Sequence, residues 1–578
     1  AEQQYIDLFS QTEAMICKHS AEVLNAPRAA AFADFERLGF PTRKMEKYKY
    51  TDISKYFEPD YGLNLNRLQI PVNPYEVFKC DVPNMSTALY FVVNDAFYNK
   101  VLPKTHLPEG VIFGSLKEVA AEHPELVKKY YGKLADTSKD GITAFNTAFA
   151  QDGVIFYVPK NVIVEKPIQL VNILRADVNF MVNRRVLIIL EDGAQARLLI
   201  CDHAMDNVNF LATQVIEVFA GENTVFDMYE LEETHTSTVR ISNLYVKQEA
   251  NSNVLLNGMT LHNGTTRNTT EVLLAGEGAE INLCGMAIAD KNQHVDNHTS
   301  IDHAVPNCTS NELFKYVLDD QSVGAFAGLV LVRPDAQHTN SQQTNRNLCA
   351  TRDARMYTQP QLEIYADDVK CSHGATVGQL DEGALFYMRS RGIAEKEARL
   401  LLMFAFVNEV RAFIPASQLS TEYVEKLEDW QGKHVDAVII TVDPEKKRLV
   451  LSGREVEKEK KAAQRKERLA QFKAGDVVEG TVDNIKDYGA FVKLADGIDG
   501  LLHISQISTQ RIKHPGAVLK EGQTVKVKIL SIADGKISLS MKALIEQETE
   551  EEEHETFDYK ETAAATTGLG DLLKGLKL

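Results

Sequence analysis

Hydrophobic residues follow two different spacings along the chain, and the change between them separates its regions. Over residues 3–40 apolar side chains recur at helical spacing, and Pro27 and Pro41 interrupt the pattern. From about 150 to 370 the apolar residues stand in short β-branched runs, such as "RRVLIILE" and "TQVIEVFA", each bounded by turn sequences. The first region is therefore predicted to be helical and the second to consist of strands.

The turns of the strand region return at a nearly constant interval. The sequences "EDGAQ", "AGENT", "EANSN" and "AGEGAE" lie near residues 193, 221, 251 and 277, a spacing of roughly 26–30 residues. Such a period is typical of stacked coils, that is a β-solenoid, or of a sandwich with regular hairpins. No long helical pattern interrupts the region, which disfavours a doubly wound α/β sheet.

Helical patterning returns over residues 381–410. Asp381 can cap a first helix and Gly392 can end it, and "AEKEARLLLMFAFVNEV" then predicts a second, strongly apolar helix. So much apolar surface on one helix needs a partner, which is either the core of the protein or another subunit.

The pattern changes abruptly at residue 411, where an internal repeat begins. The segment "FIPASQLSTEY" and its continuation to "RLVLSGREV" are similar to the later "LLHISQISTQ" and its continuation to "KISLSMKAL". Only the later copy is preceded by further strands, "GDVVEGTVDNIKDYGAFVKLAD". The first copy is therefore half a repeat that cannot close a barrel, so Trp430 and the strands at 435–452 should be poorly ordered or pair elsewhere.

These patterns predict a chain of consecutive segments. They are a helical and mixed N-terminal domain (1–149), a β-helix core (150–375), a truncated C-terminal helical segment (376–410), a partial OB repeat (411–455), a charged helical linker (456–473), an OB-fold repeat (474–544) and an acidic disordered tail (545–578).

Composition and charge narrow the functional classes. The chain has 578 residues, of which 44% are hydrophobic and 25% charged, as in globular proteins. Its net charge of -18 divides into about -15 for residues 1–410, about +4 for 411–545 and about -7 for the rest. This charge argues against attraction of the whole chain to nucleic acid, whereas the mildly basic module could bind it.

Cysteine usage and apolar runs indicate a cytoplasmic protein without a membrane anchor. The seven cysteines contain no CxxC pair and are odd in number, which fits a reducing compartment. No apolar run approaches the roughly 18 residues of a membrane span, and the N-terminal residues are polar and acidic, unlike a signal peptide. The common nucleotide and hydrolase motifs are absent, so we expect no nucleotide bound by this chain, and an ATP-driven process would need a partner ATPase.

One polar cluster, "HVDNHTSIDHAVPNC", contains candidate iron or zinc ligands, namely His294, His298, His303 and Cys308. His294 and His298 would share a strand face but lie roughly 13 Å apart, and His303 would point to the opposite face. The cluster is therefore a weak metal site, and a polar strand face or a subunit contact is the preferred explanation.

A second cluster, "KCSHGATVG", places Cys371 and His373 two residues apart and so on one face of a strand. Thiolate and imidazole are metal ligands, and a cysteine can also carry sulfur. A buried cysteine beside a hydrogen-bonded histidine is the structural alternative.

The segment "TNRNLCATRDARMYTQPQLEIYADDVKCSHGATVGQLDEGALFYMRSRGI" closely resembles the SufB/SufD family of the SUF iron–sulfur cluster assembly machinery, and the likeness extends over residues 1–410. The form "CSHGATVG" is similar to the SufD branch. The resemblance implies a mainly β fold, with a right-handed parallel β-helix between helical ends and, here, an OB barrel after them. It also implies a complex with SufB and the ATPase SufC, which the C-terminal helices grip.

The same resemblance implies roles for particular residues. A transient iron–sulfur cluster is built at the SufB–SufD interface, where His373 and Cys371 of this chain would take part. Cys371 is the weaker candidate, because the principal sulfur-accepting cysteine of the family lies on SufB. The family normally continues with further helix after Val410, so the replacement here puts docking of the ATPase partly in doubt. A homodimer in the absence of SufB remains open.

Residues 474–544 resemble an S1-type OB repeat of the large RNA-binding protein of the bacterial small ribosomal subunit, and 411–455 resemble the back half of another. The resemblance implies that Tyr488, Phe491 and His503 form a face on which bases of single-stranded RNA stack. Basic side chains that could contact phosphate, with weaker support, are Lys493, Arg511, Lys513 and Lys536. Barrel core is the structural alternative for the aromatic residues.

Three hypotheses follow for the function. The first is a non-enzymatic scaffold for iron–sulfur cluster assembly, the second a single-stranded RNA-binding translation protein, and the third a metal-dependent enzyme that rests on the histidine cluster alone. The junction at 410/411 truncates both neighbours without a linker, which is typical of a chimera, whether an engineered fusion, two joined sequences or a misassembled reading frame.

Overall fold

A computed structural model describes residues 1–77, 87–100, 106–407, 438–443, 448–452, 473–495, 498–509, 512, 514–533 and 536–545. The chain divides into two compact units, Ala1–Ser452 and Gly453–Leu578. Trp430, the linker at 456–473 apart from its last residue, and the tail beyond Ile545 lie outside the described residues.

Helices lie at the two ends of the first unit. They are α1 (Glu2–Lys18), α2 (Glu22–Asn25), α3 (Arg28–Leu38), α4 (Pro74–Val77), α5 (Leu116–Glu122), α6 (Pro124–Tyr130), α7 (Gly141–Phe149), α8 (Glu382–Ser390) and α9 (Glu395–Val407). Short 3-10 turns cover Glu46–Tyr48 and Ser54–Phe57 in this unit. The helical N-terminus predicted from the apolar spacing is confirmed.

Strands alternate along the chain between two sheets. Sheet B contains β1 (Ala88–Val93), β2 (Ala96–Phe97), β5 (Ile168–Leu174), β7 (Gln195–Ala204), β9 (Val225–Glu233), β11 (Asn253–His262), β13 (Glu280–Ala289), β15 (Thr309–Leu318), β17 (Asn340–Cys349) and β19 (Lys370–Gln379). Sheet A contains β3 (Ile112–Ser115), β4 (Val154–Val158), β6 (Phe180–Leu190), β8 (Phe210–Ala220), β10 (Thr238–Gln248), β12 (Thr265–Leu274), β14 (His294–His303), β16 (Val323–Val332) and β18 (Arg355–Ile364).

Each strand from β4 to β17 pairs in parallel with the strand two places later, so one coil consists of one strand from each sheet. Paired residues are separated by 26 positions at their closest, Val239 with Thr265, and by 32 at their widest, Val323 with Arg355. The predicted β-solenoid is confirmed and the alternative of regular hairpins is wrong, because hairpins would pair antiparallel. The handedness of the coil stays a prediction.

A residue with a left-handed backbone stands at the same corner of successive coils. These residues are Asn161, Gly193, Asn223, Asn251, Gly278, Asn307 and His338, with φ between 55° and 74°. Asn223, for example, donates its N–H to the carbonyl of Ala250 in the next coil. Glycine and asparagine adopt this conformation most readily, which is why the corners were visible in the sequence as periodic turn signals.

Two apolar layers hold this unit together. Inward-facing residues of the two sheets, among them Leu198, Met228 and Leu256, form one continuous core. Aromatic residues of the N-terminal helices form a second core, in which Phe40 stacks on Phe57 with ring centroids 3.8 Å apart. The helices therefore cover part of the outer surface of the solenoid.

The C-terminal helices follow the last strand directly. Asp381 caps α8 by accepting from the N–H groups of Gly383 and Ala384, and Gly392 follows with φ 88°, as predicted. Helix α9 packs on the outer face of sheet B, and the buried Lys315 donates to the carbonyl of Phe406 at 2.6 Å. The apolar face of α9 thus finds a partner within the same chain.

After the junction the structure describes one hairpin and one barrel. The hairpin pairs β20 (Val438–Asp443) with β21 (Arg448–Ser452) in antiparallel. The barrel is closed by β22 (Val477–Lys486), β23 (Gly489–Ala495), β24 (Ile498–His503), β25 (Thr524–Ala533) and β26 (Lys536–Ser540), with 3-10 turns at Ile504–Gln506 and Pro515–Ala517. A five-stranded barrel of this order is the predicted OB fold.

Candidate functional site

The solenoid ends on two strands that have a partner on one side only. Among the described residues, β18 pairs only with β16 and β19 only with β17. Nearly all of β19 is exposed. Apolar side chains on this strand and directly after β18 are in contact with solvent, including Val377 at 52% and Tyr365 at 62% exposure. An open parallel edge with exposed apolar groups is a surface suited to another protein.

The direction of the backbone groups on β19 follows from its pairing. Lys370 donates its N–H to the carbonyl of Thr339, and in a parallel pair alternate residues point to the same neighbour. The residues between them direct both N–H and C=O away from β17: Cys371, His373, Ala375, Val377 and Gln379. The strand therefore offers an uninterrupted row of outward donors and acceptors.

The other edge, β18, is interrupted. Arg355 donates to the carbonyl of Ser322, so the even-numbered residues of this strand direct their backbone groups outward. Pro360 stands at one of these outward positions and has no N–H to donate. Of the two edges, β19 is therefore the better template for a further strand.

Cys371 and His373 lie on one face of β19, as their spacing predicted, and this is the inward-facing side of the coil. Cys371 stands beside Ser341 and His373 beside Gln343 on the preceding coil. Cys371 is partly buried against an apolar group that includes Val330 and Val332, and burial raises the pKa of its thiol. His373 is exposed. The site thus combines an accessible imidazole with a thiol that is mostly protonated at neutral pH.

Two columns of polar side chains lead through the solenoid to these residues. In one, the imidazole of His303 lies 2.8 Å from the hydroxyl of Ser310, which donates to Ser341 at 2.8 Å. In the other, Gln343 donates to the carboxylate of Glu312 at 2.6 Å. Both columns are buried and run perpendicular to the strands, from one coil to the next.

The first histidine cluster does not come together. His294 and His298 share the outward face of β14, as predicted, and the connector over residues 43–57 contacts this face. The hydroxyl of Thr51 lies 2.8 Å from the His294 imidazole, and burial lowers the pKa of His298 to about 3. These side chains are covered by the protein itself, which fits the structural alternative of a polar strand face.

His303 and Cys308 lie elsewhere, inside the solenoid. His303 is fully buried, and burial lowers the pKa of its imidazole to about 4. The thiol of Cys308 donates to the carbonyl of Gly276 at 3.4 Å, and burial raises its pKa. Within the described residues no group of three histidine, cysteine or acidic side chains is arranged to hold a metal ion.

The sequence reasoning missed a buried charge network inside the coils. Arg240 contacts Asp202 at 2.8 Å and Glu230 at 2.8 Å, and Asp202 also contacts Arg184 at 2.6 Å. Burial nevertheless raises the pKa of the neighbouring Glu232 to about 7. The sequence did contain one indication of this network. Asp202 and Glu232 are 30 residues apart, the length of one coil, which places them in one column.

The barrel presents the predicted aromatic face. Tyr488 is 52% exposed at the turn before β23, and its ring lies edge-on to Phe491 with centroids 6.5 Å apart. His503 ends β24 directly opposite Gly489, and its Nδ1 lies 2.8 Å from the hydroxyl of Ser505. The three side chains are therefore grouped at one end of two neighbouring strands.

The structure describes only some of the basic residues that were predicted to surround this aromatic face. Lys493 is exposed on β23, and Lys536 begins β26. Arg511 and Lys513 lie outside the described residues. As for membranes, none of the helices that the structure describes is long and apolar enough to cross one.

Three family models match the chain. The model of the SufBD protein N-terminal region matches residues 1–170, and that of the SUF system FeS cluster assembly SufBD core domain matches 173–406. The S1 RNA binding domain model matches 403–454 and 471–542. The second S1 match contains the barrel, and the first contains the hairpin β20–β21.

Curated relatives fall into the same two groups. An iron–sulfur cluster assembly SufBD family protein of Synechocystis is 28% identical over 70% of this chain and 91% of its own length. The iron–sulfur cluster assembly protein SufD of Escherichia coli is 42% identical over a segment that covers 25% of this chain and 34% of that protein. A small ribosomal subunit protein bS1 homologue of Bacillus cereus is 49% identical over 23% of this chain and 35% of that protein.

Glu312 should make the stability of the solenoid depend on pH. Burial raises the pKa of its carboxyl to about 7, while the hydrogen bonds from Thr299 and Gln343 lower it. Because the folded protein binds this proton more tightly than the unfolded chain, the stabilisation is present below about pH 4.5 and is lost as the pH rises through 7. Relative to wild type, Glu312→Gln should therefore gain up to about 3 kcal/mol in free energy of unfolding between pH 4.5 and 8.

Urea denaturation at both pH values measures this difference. Glu363→Gln, at an exposed position of β18, is the matched control and should show no such trend. Equal pH dependence of wild type and Glu312→Gln would show that folding does not raise the pKa of this carboxyl.

Proposed function

The chain joins a SufBD family protein, residues 1–406, to an S1 RNA binding domain, and on this premise we propose that it is a non-enzymatic scaffold for iron–sulfur cluster assembly. The observation that carries the proposal is the open end of the solenoid. There the outward edge of β19 and an accessible imidazole, His373, stand on the same strand. A scaffold needs such a surface because the cluster has to be assembled and then released.

The partner on this edge is a SufB-like second solenoid. Its last strand can add to β19 through main-chain hydrogen bonds, and its side chains can cover the exposed Tyr365 and Val377. The pairing would continue the parallel stack across two subunits. A homodimer through the same edge is the alternative when SufB is absent.

His373 is the residue of this chain that would hold iron or the nascent cluster, which is cargo and not a resident cofactor. Imidazole is a good ligand for iron, and this one is exposed at the proposed interface. Cys371 is the weaker candidate because burial keeps its thiol protonated, and a thiol must lose that proton to bind metal or attack sulfur.

The energy of ATP would come from a SufC ATPase bound near the C-terminal helices. Phe386 and Tyr387 on α8 are 72% and 58% exposed, and Leu400 and Leu401 on α9 are 42% and 44% exposed. Apolar side chains so exposed favour a protein partner. Helix α9 itself is anchored to sheet B through Lys315, so this surface persists although the sequence changes directly after it.

A second function is supported by the barrel alone. Tyr488, Phe491 and His503 form the kind of aromatic surface on which bases of single-stranded RNA stack. Through residues 474–544 the chain would bind RNA weakly, because one repeat offers few stacking positions. Both activities can coexist in one chain, since they use separate units.

Replacement of His373 tests the scaffold. His373→Ala should lower the yield of cluster formed by the complex with SufB and SufC by about 10-fold or more, because a ligand is lost while β19 keeps its backbone bonds. Cluster formation is followed by visible absorption, and the integrity of the complex by size-exclusion chromatography. Ser372→Ala, the adjacent residue on the same strand, is the control. An undiminished yield in an intact complex would remove His373 from the proposed site.

A proline on the open edge tests the docking surface. Ala375 directs its N–H outward, so Ala375→Pro removes one donor to a partner strand without breaking a bond to β17. Affinity for SufB should fall about 10-fold or more, as expected for a lost, desolvated hydrogen bond of about 1–3 kcal/mol. Ala375→Val keeps the N–H and serves as control. If calorimetric titration gives the same affinity for all three proteins, the partner does not pair with β19.

Tyr488→Ala tests the RNA-binding face. The loss of one stacking platform should weaken binding of a single-stranded oligouridine by about 1–3 kcal/mol, roughly 5- to 150-fold. Fluorescence anisotropy measures the affinity. Val477→Ala is a matched control, since Val477 is also 52% exposed on the barrel but carries no aromatic ring. A similar loss in both variants would argue against base stacking on Tyr488.

A further inference from the structure

Three polar residues stand in one inward-facing column at the open end of the solenoid. Glu312 on β15 pairs in register with Gln343 on β17, and Gln343 pairs in register with His373 on β19. Side chains at such positions lie on the same face, with about 4.8 Å between neighbouring strands. Glu312 and Gln343 are 3% and 1% exposed, whereas His373 is exposed at the end of the column.

The orientation of the Gln343 amide is determined by Glu312. Thr299 donates to one carboxylate oxygen of Glu312, and the Nε2 of Gln343 donates to the other at 2.6 Å. The amide nitrogen of Gln343 therefore points back along the column, and its Oε1 is left as the group nearest to the next coil. In the described part of the chain, no donor reaches this buried oxygen.

A buried acceptor without a donor lowers the free energy of unfolding, and the position of the Gln343 Oε1 indicates which donor it could accept from. Asn345, two residues further along β17, has its Oδ1 occupied by Asn347 and Thr358. Asn347 also has a free Oδ1, but its neighbour on β19 is Val377, whose side chain has no donor. Gln343 instead stands beside an imidazole, which always carries at least one N–H.

We propose that Gln343 is a positioning residue for His373: its Oε1 accepts an N–H of the imidazole, and the other ring nitrogen is thereby left as a free ligand at the open end of the solenoid. A histidine that binds metal usually donates its second nitrogen to an oxygen in this way, and that bond selects the tautomer. The inference rests on the proposed role of His373 in holding iron or cluster. The chain Thr299–Glu312–Gln343 supplies the rigidity that an exposed side chain on an edge strand lacks.

The tautomer of His373 is the direct test. In the full chain labelled with ¹⁵N-histidine, the ring nitrogens of His373 are assigned by their loss in His373→Asn, and their shifts report which nitrogen carries the proton at high pH. In wild type we expect one dominant tautomer. Gln343→Met, which has a similar length but no acceptor, should give a mixture of the two tautomers.

The same variants are then compared in cluster formation with SufB and SufC. Gln343→Met should lower the rate about 10- to 100-fold, the usual effect of removing the hydrogen-bond partner of a ligand. Gln343→Glu retains an acceptor oxygen and should keep the single tautomer and most of the rate. Asn347→Leu removes an equally buried amide of the same strand and is the control for packing.

The outcomes separate the inference from the proposed function. An unchanged tautomer in Gln343→Met, or an equal change in Asn347→Leu, would overturn the positioning role. Should Gln343→Met not fold, a mixture of the two tautomers in the folded wild type would overturn it as well, because a fixed acceptor selects one of them. A changed tautomer with a normal rate of cluster formation would support the contact and contradict the role of His373 as a ligand.

Discussion

The in-register pairing of one coil with the next is the constraint on which the rest of the structure depends. Each strand forms hydrogen bonds with the backbone N–H and C=O groups of the preceding strand in its sheet. Its own remaining N–H and C=O groups then need a further strand as partner. At the first end the sheets finish on short strands that turn back, since the two-residue β2 pairs antiparallel with β1 and the four-residue β3 antiparallel with β4. At the other end, within the described residues, the last strand of sheet B is the ten-residue β19, which pairs only with β17. The two ends therefore differ in the length of the strand edge that is left unpaired.

The same pairing places side chains from distant parts of the sequence in columns. Residues about 30 positions apart stand one above another, so Asp202 lies over Glu232 and Gln343 over His373. A polar residue at an inward position must then find its partner in the next coil or across the two sheets, because water is excluded. This explains why the interior carries both an apolar core and paired charges such as Arg240 with Glu230. It also explains how a buried residue can act on an exposed one at the open end.

Much of this architecture could be predicted from local signals. The left-handed corners at residues such as Asn223 and Asn251 show as periodic turns, and the cap at Asp381 shows as a single acidic residue before a helix. The alternation of side chains also placed His294 and His298 on one face correctly. What local signals could not show is that the connector covers His294, whose imidazole lies 2.8 Å from the Thr51 hydroxyl. That contact joins residues more than 200 positions apart, and nothing in either segment encodes the other. The unpaired side-chain oxygen of Gln343 could not be predicted for a similar reason, since its position depends on the register of three strands.

The half repeat after the junction shows which structure can form from strands that are neighbours in sequence. In the complete barrel, β25 and β26 pair with a bulge between Ile529 and Ser531. The hairpin β20–β21 has a bulge at the corresponding place, between Ile439 and Thr441. The hairpin therefore forms from its own sequence, as expected for strands joined by a short turn. Barrel closure, in contrast, needs further strands, which the described residues of this copy do not include. Before the junction, α9 keeps its long-range anchor Lys315, whereas after it the hairpin β20–β21 stands on the pairing of two strands that are neighbours in sequence.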